Sequence, residues 1–183
     1  MEIRLAAPLQ SDSIVDGEGI RTVIWTQGCP HNCKGCHNPE THDFNGGVLV
    51  DIEEIKEELN TLEFQDGITL SGGDPFMQPE ACLEIALHAK KLGLNVWSYT
   101  GFTFDQLKVL SKSKPAIMEL LKNIDVLVDG KFILEEKSYE CKYRGSKNQR
   151  IIDVQASLDE GKVVELDKYA EKEETFNQEL LFI

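Results

Sequence analysis

Residues 20–36 read IRTVIWTQGCPHNCKGC and join a strand pattern directly to a cysteine-rich loop. The segment 20–27 is rich in β-branched and aromatic side chains, which is typical of a β-strand. Three cysteines follow at C-x3-C-x2-C spacing, at positions Cys29, Cys33 and Cys36. In α/β folds, ligands bind at the carboxyl ends of the strands, and so this loop is the first candidate site.

Strand and helix patterns alternate along the rest of the chain. Strands are predicted at 67–71, 94–99, 125–128 and 150–154, and helices at 52–62, 79–92, 103–110 and 115–122. Such alternation forms βαβ units, whose strands pair mostly in parallel. The predicted fold class is therefore α/β, an incomplete TIM-like barrel of mostly parallel strands with outer helices, because roughly four or five βα units cannot close eight strands. We expect residues 1–166 to form this domain and 167–183 an acidic tail or terminal helix.

Two predicted helices start with capping-box patterns, Asp51 with Glu54 and Thr103 with Gln106. Such boxes satisfy the backbone N–H groups that the first turn of a helix leaves without a partner. These two helices should therefore begin just after Asp51 and Thr103.

Composition and charge limit the classes of function. The 183 residues include 19 basic and 32 acidic side chains, for a net charge of −13 at pH 7. Such a surface repels phosphate backbones and anionic lipid, so neither nucleic acid nor a membrane is an expected partner. No apolar run approaches the roughly 20 residues of a membrane span, and residues 1–10 do not resemble a signal peptide.

The five cysteines, an odd number in a chain without a predicted signal peptide, indicate a cytoplasmic protein with reduced thiols. Cys82 falls on the apolar helix 79–92 and is predicted to be a core residue. Cys141 lies in a polar stretch and is predicted to be a free thiol rather than a metal ligand.

Three interpretations of the cysteine loop remain open from the residues alone. A zinc site would add His31, His37 or His42 as a fourth ligand, although zinc loops normally come as two paired halves and no second half follows. Covalent haem would use the C-x-x-C-H pattern at 33–37, but it leaves Cys29 without a role. An iron–sulfur cluster with three protein ligands leaves one iron open to a small molecule, and the spacing favours it.

Two further motifs follow predicted strands. In residues 71–75, SGGDP, the paired glycines Gly72 and Gly73 would let the backbone approach a ligand closely. In residues 129–131, DGK, the ammonium group of Lys131 is suited to neutralise a carboxylate. Taken alone, the first motif is more typical of an ordinary turn, and the second is nearly as compatible with a surface turn as with a binding role.

Residues 16–42, DGEGIRTVIWTQGCPHNCKGCHNPETH, resemble the signature of the radical S-adenosylmethionine (SAM) activating enzymes, and within them the group that activates anaerobic ribonucleotide reductase. Segments LSGGDPF (70–76), VLVDGKF (126–132) and YRGSKNQRIIDV (143–154) are similar to the same group. Pyruvate formate-lyase activating enzymes share part of the signature. Gly35 stands where many radical SAM enzymes have an aromatic residue, and this small residue is typical of the reductase-activating group.

The resemblance implies a site, a reaction and partners. It implies a [4Fe-4S] cluster held by Cys29, Cys33 and Cys36, and SAM bound by Gly35, Cys36, His37, Gly72, Gly73, Asp74, Asp129 and Lys131. The implied oxidoreductase splits SAM reductively and removes a hydrogen atom from a glycine of its protein substrate, which leaves a glycyl radical there. The implied partners are the large subunit of anaerobic ribonucleotide reductase and a flavodoxin-like electron donor. The alternatives are another glycyl radical enzyme as target, such as pyruvate formate-lyase, or a zinc or electron-carrier protein without catalysis.

Overall fold

Residues 1–169 are described by the structure, a computed structural model, and they form one eight-stranded sheet flanked by helices. The strands are β1 Glu2–Leu5, β2 Gln10–Ser13, β3 Arg21–Thr26, β4 Val48–Asp51, β5 Gly67–Gly72, β6 Asn95–Tyr99, β7 Val126–Asp129 and β8 Arg150–Asp153. The helices are α1 Ile52–Leu59, α2 Pro79–Lys91, α3 Phe104–Leu110, α4 Ala116–Lys122 and α5 Val154–Glu160. The α/β class predicted from the sequence is confirmed.

The sheet is mixed, with strand order β4-β1-β3-β5-β6-β7-β8 and β2 paired to β3. Its central strands β3, β5, β6 and β7 are parallel neighbours, as predicted. The outer pairings, β1 with β3, β1 with β4, β2 with β3 and β7 with β8, are antiparallel. The expectation of a mostly parallel sheet is therefore wrong outside the centre.

The antiparallel direction of β8 has a simple cause. Two parallel strands need a crossover connection, usually a helix, that carries the chain back across the sheet. Residues 130–149 join β7 to β8 without an α-helix, so the chain returns in the opposite direction, and Asp129 pairs with Arg150. Within residues 1–169, β4 and β8 form the two ends of an open sheet.

The predicted helices are present because their apolar faces cover the sheet. Ile52, Ile55 and Leu59 of α1 are buried in the main core, as their spacing indicates. Cys82 of α2 is completely buried in the same core, which confirms its predicted place. The short strands β1, β2 and β4 and the helix α5 were not predicted.

The two predicted capping boxes have different outcomes. In α3, the Thr103 side chain accepts a hydrogen bond from Gln106 N, and the Gln106 side chain accepts one from Thr103 N, so this box is confirmed. In α1, Asp51 accepts from the backbone N–H of Glu53, so it caps the helix through a single bond.

The described chain ends in a short 3-10 turn, Asp167–Tyr169. The ring of Tyr169 packs edge-on against Trp97 with 5.9 Å between centroids. The predicted tail from residue 170 onward lies outside the described residues, so the proposed division at residue 166 stays a prediction. No helix in residues 1–169 is both long and apolar enough to cross a bilayer, and the cytoplasmic location likewise stays a prediction.

Candidate functional site

The carboxyl ends of the four parallel strands meet at one edge of the sheet, and each leads into a segment that the sequence marks as a candidate. Thr26 and Gly72 are register partners, and so the cysteine loop after β3 lies beside the glycine pair at the end of β5. Asp74 follows β5, and Thr100 follows β6. Asp129 is the last residue of β7. The topology therefore brings these motifs together, as the strand–loop pattern predicts.

The cysteine loop is closed by hydrogen bonds at its base. Gly28 N donates to Thr41 O at 2.8 Å, and Cys29 N donates to His42 O at 3.3 Å. The buried side chain of Gln27 donates to Glu40 O at 3.0 Å and to Asp43 O at 2.7 Å. The loop is therefore fixed at both ends, although it contains little regular structure.

All three candidate ligands lie half-buried in this loop: Cys29, Cys33 and Cys36. Burial is the main cause that raises the pKa of the Cys29 thiol to about 11, and the nearby Asp74 and the other two thiols raise it further. Burial also raises the pKa of Cys36. Neighbouring thiols in a poorly hydrated environment favour the neutral form over the thiolate.

The donor set suits an iron–sulfur cluster. In a four-iron cluster each cysteine binds a different iron, whereas a structural zinc site has four protein ligands around one centre. The three half-buried thiols on this loop therefore match the protein ligands of a cluster with one open iron.

Gly35 provides the turn between the second and third cysteines. Its φ is +76°, a conformation that L side chains rarely adopt, and Cys36 N bonds back to Cys33 O at 3.1 Å. A Cβ atom at Gly35 would lie 2.9 Å from Cδ1 of Leu134. Leu134 thus occupies the space in front of Gly35.

The loop histidines are engaged in protein contacts. His31 is almost fully buried, its Nε2 lies 2.8 Å from Oδ2 of Asp74, and its ring meets Phe102 edge-on at 4.4 Å. His37 packs against Phe132 with 5.0 Å between ring centroids. These contacts hold both rings in place, and the expectation that the loop histidines shape the loop rather than bind metal stays a prediction.

Asp74 joins three segments of the site. Its side chain is completely buried. One carboxylate oxygen accepts from Phe76 N at 3.0 Å and the other from Gly101 N at 3.0 Å, and the Thr100 hydroxyl donates to the same group at 2.9 Å. With His31 added, the carboxylate links the loops after β3, β5 and β6. A carboxylate with this many protein partners acts mainly by holding these three loops in place.

The glycine pair allows two backbones to touch. Gly72 has φ +94°, and a Cβ atom there would lie 2.5 Å from Thr26 O. A Cβ atom at Gly73 would lie 2.5 Å from Gly28 O. Gly73 N in turn donates to Thr26 O at 2.7 Å. Only glycine permits this contact between the end of β5 and the base of the cysteine loop.

Asp129 and Lys131 have different environments. Asp129 is buried, accepts from Phe104 N at 2.7 Å, and forms a two-point ion pair with Arg150 whose Nε–Oδ1 distance is 2.9 Å. Lys131 is exposed, and its backbone carbonyl accepts from Asn148. Asp129 is thus a structural link between β7, β8 and α3, and the SAM-binding roles of both residues stay predictions.

A cavity of about 720 Å³ opens at this edge of the sheet. Cys36, His37, Gly72 and Tyr99 line it. The connection 131–149 between β7 and β8 supplies much of the remaining lining. Its volume is within the ~300–1,000 Å³ range of small-molecule sites. A ligand bound here would lie directly beside the third cysteine.

The sequence patterns do not single out several residues that shape the site, namely Gln27, Phe132, Leu134 and Arg144. Phe132 and Arg144 fall inside the family-like segments 126–132 and 143–154, and that resemblance is the sequence signal that points to them. A second cavity, of about 600 Å³, lies at the opposite, amino ends of the strands, and none of the predicted site residues lines it.

Comparison with known proteins places an iron–sulfur family model over most of the chain. A family model described as a 4Fe-4S single cluster domain matches residues 15–152, which include all three loop cysteines. The crystal structure of QueE from Escherichia coli has a TM-score of 0.47 and 16% identity and covers 56% of this chain and 54% of that chain, a likeness too slight to carry an argument.

Curated relatives match over most of their own length. An anaerobic ribonucleoside-triphosphate reductase-activating protein of Haemophilus influenzae is 36% identical over 146 residues, 75% of this chain and 90% of that protein. The protein of the same name from Enterobacteria phage T4 is 36% identical over 146 residues, 75% of this chain and 86% of its own. The one from Escherichia coli K12 is 35% identical over 145 residues, 74% and 90% of the two chains. The chain therefore belongs to the family of anaerobic ribonucleoside-triphosphate reductase-activating proteins.

Proposed function

We propose that this chain activates an anaerobic ribonucleotide reductase by forming a glycyl radical on it. The observation that carries the proposal is the cavity beside Cys36, which joins the three-cysteine loop to the glycine pair at the end of β5. When bound and reduced by an external electron donor, a [4Fe-4S] cluster would supply the electron for cleavage of SAM to methionine and a 5′-deoxyadenosyl radical, which would become 5′-deoxyadenosine by taking a hydrogen atom from a glycine of the partner. The names of the family members support this choice of partner.

In this proposal each segment of the chain has a defined task. Cys29, Cys33 and Cys36 hold the cluster and leave one iron without a protein ligand. Gly72 and Gly73 bring the end of β5 against the cysteine loop, with Gly72 lining the cavity. Gly35 and His37 flank Cys36 in the predicted SAM site, whereas the SAM-binding roles of Asp129 and Lys131 stay predictions. Asp74 contributes by holding the loops in place rather than through a free carboxylate.

The open sheet suits a protein substrate. We propose that the described strands correspond to a partial barrel with its cavity at the carboxyl edge, because the four parallel strands converge there while β4 and β8 remain at the two ends of the sheet. A site that opens at an edge can admit a loop of another polypeptide. The flavodoxin-like electron donor and the absence of a nucleic-acid partner stay predictions, consistent with a net charge of −13.

Anaerobic reconstitution tests the cluster and its ligands. We expect the wild-type chain to bind about four iron and four sulfide ions, and Cys36→Ala to lose the cluster. Cys82→Ala is the matched control, because Cys82 is buried in the core on α2, away from the loop. Equal loss of iron in both variants would contradict the ligand assignment.

Catalysis and its target are tested separately. Dithionite-reduced protein should release methionine and 5′-deoxyadenosine from SAM, and Cys36→Ala should not. Mixing with an anaerobic ribonucleotide reductase should then produce a glycyl-radical doublet in electron paramagnetic resonance. A doublet on pyruvate formate-lyase, with none on the reductase, would reject the proposed target and retain the chemistry.

A further inference from the structure

The cavity beside Cys36 has a local excess of positive charge in a strongly acidic chain. Lys137, Lys142 and Arg144 line it, against the carboxylate of Asp16, whereas the whole chain has a net charge of −13. A cavity whose charge opposes that of the protein around it favours a ligand with an anionic group.

Arg144 differs from the two lysines in how it is held. Its Nη1 donates to Gln149 O at 2.8 Å. Its Nε is buried and has no hydrogen-bond partner among the residues that the structure describes. A buried guanidinium N–H without an acceptor is costly, and guanidinium groups suit two-point binding of carboxylates. Arg150 illustrates such a pair, since it binds both oxygens of Asp129.

Hydrogen bonds within the protein hold the turn that carries Arg144. The Gln149 side chain accepts from Gly145 N at 2.8 Å and from Ser146 N at 3.2 Å. Its amide group donates to Gly130 O at 3.1 Å. These bonds tie the turn to the end of β7, so that little order needs to be gained when an anion is bound.

The residue before Arg144 is held in a strained conformation. Tyr143 has φ +56°, which is uncommon for a residue with a bulky side chain. Its carbonyl accepts from the Tyr99 hydroxyl at 2.8 Å, and its ring packs edge-on against Trp97 and Tyr169, each at 5.5 Å. Strain that is maintained by several contacts marks a backbone whose direction matters. Here the strained backbone is held by the packed ring of Tyr143, and the side chain of Arg144 that follows it lines the cavity.

We propose that Arg144 binds the carboxylate of the methionine part of SAM in this cavity. The inference rests on the proposed function, because it requires SAM to bind beside Cys36. Lys137 is less suited, since its ammonium group lies over the exposed Tyr139 ring at 4.8 Å. Lys131 is exposed and does not line the cavity. Arg144 is therefore proposed as a SAM-binding residue that lies outside the cysteine loop and the glycine motifs.

The test compares two ligands that differ only in the carboxylate of the methionine part. Equilibrium binding of SAM and of decarboxylated SAM is measured on the full, cluster-reconstituted chain without reductant, for wild type, Arg144→Gln and Arg144→Lys. Arg144→Gln should weaken SAM binding by roughly tenfold or more and change binding of the decarboxylated ligand by less than about twofold. Arg144→Lys should recover part of the loss because it keeps the charge but not the two-point geometry.

Lys112→Gln is the matched control, because it removes one positive charge from an exposed position that does not line the cavity. It should leave both affinities within about twofold of wild type, as expected for an exposed, screened charge. Equal weakening of both ligands in Arg144→Gln, equal loss of SAM in Lys112→Gln, or unchanged SAM binding in Arg144→Gln would each overturn the inference. A wild-type protein that holds its cluster but binds no SAM would instead overturn the proposed function, and this inference with it.

Discussion

Nε2 of His31 lies 2.8 Å from Oδ2 of Asp74, and both side chains are nearly or completely buried. His31 lies between the first and second cysteines of the loop, and Asp74 follows the glycine pair of β5. This contact therefore fastens the proposed cluster loop to the proposed SAM segment. Because Gly101 and Thr100 bond to the same carboxylate, a change at Asp74 should disturb the loops after three strands.

Asp74→Asn tests this link. The amide replaces one accepting oxygen with a donor, which then faces donors from Phe76, Gly101 or His31. We expect the free energy of unfolding of the cluster-free protein to fall by about 3 kcal/mol, the cost of leaving buried donors without acceptors. Urea denaturation measures this free energy of unfolding. Asp159→Asn, at an exposed position, is the control and should change the free energy by less than about 0.5 kcal/mol.

Gly72→Ala tests the close approach of two backbones. Its Cβ would lie 2.5 Å from Thr26 O, and its φ is unfavourable as well. Strain and overpacking together should lower the free energy of unfolding by about 3 kcal/mol. Gly93→Ala is the matched control, because Gly93 has φ +77° but nothing within 4 Å of its Cβ position. Equal losses in the two variants would mean that the contact with β3 has no energetic role.

Asp129→Asn distinguishes a structural from a ligand-binding role. The variant weakens a buried two-point ion pair with Arg150, whose side chain is 30% exposed. We expect a loss of about 2–3 kcal/mol in unfolding free energy, below the full cost of breaking a fully buried pair. The affinity for SAM, measured on the folded variant, should stay within about twofold of wild type. A large loss of affinity with unchanged stability would instead favour the SAM-binding role implied by the family resemblance.

Gly35→Ala tests the turn within the cysteine loop. The variant faces Leu134 at 2.9 Å and must also adopt φ +76°. The left-handed conformation alone should cost about 1–2 kcal/mol, and the reconstituted variant should release iron to a chelator faster than wild type. Adding Leu134→Ala removes the steric contact but not the backbone strain. Full recovery in the double variant would show that the contact with Leu134, and not φ, makes glycine necessary.

Local patterns account for the features that the sequence predicted correctly. Hydrophobic spacing located the parallel strands and helices, because burial on one face imposes a period that is readable without a partner. The cysteine spacing predicts a metal loop within the matched 4Fe-4S domain, since three ligands within one short loop must lie near one another whatever the fold. The resemblance then led to the family that the comparisons show.

The tertiary structure decided the rest, because it depends on residues far apart in the chain. The direction of β8 follows from a connection without a helix, and the short strands β1, β2 and β4 are stabilised by their neighbours in the sheet more than by their own sequences. The carboxylates of Asp74 and Asp129 look like ligand-binding groups in the sequence, yet in the fold both are occupied by protein donors. Arg144 gains its proposed role only because its turn is folded over the cavity beside Cys36. Short-range spacing thus determined which chemistry is possible, and long-range packing decided which charged groups remain free to perform it.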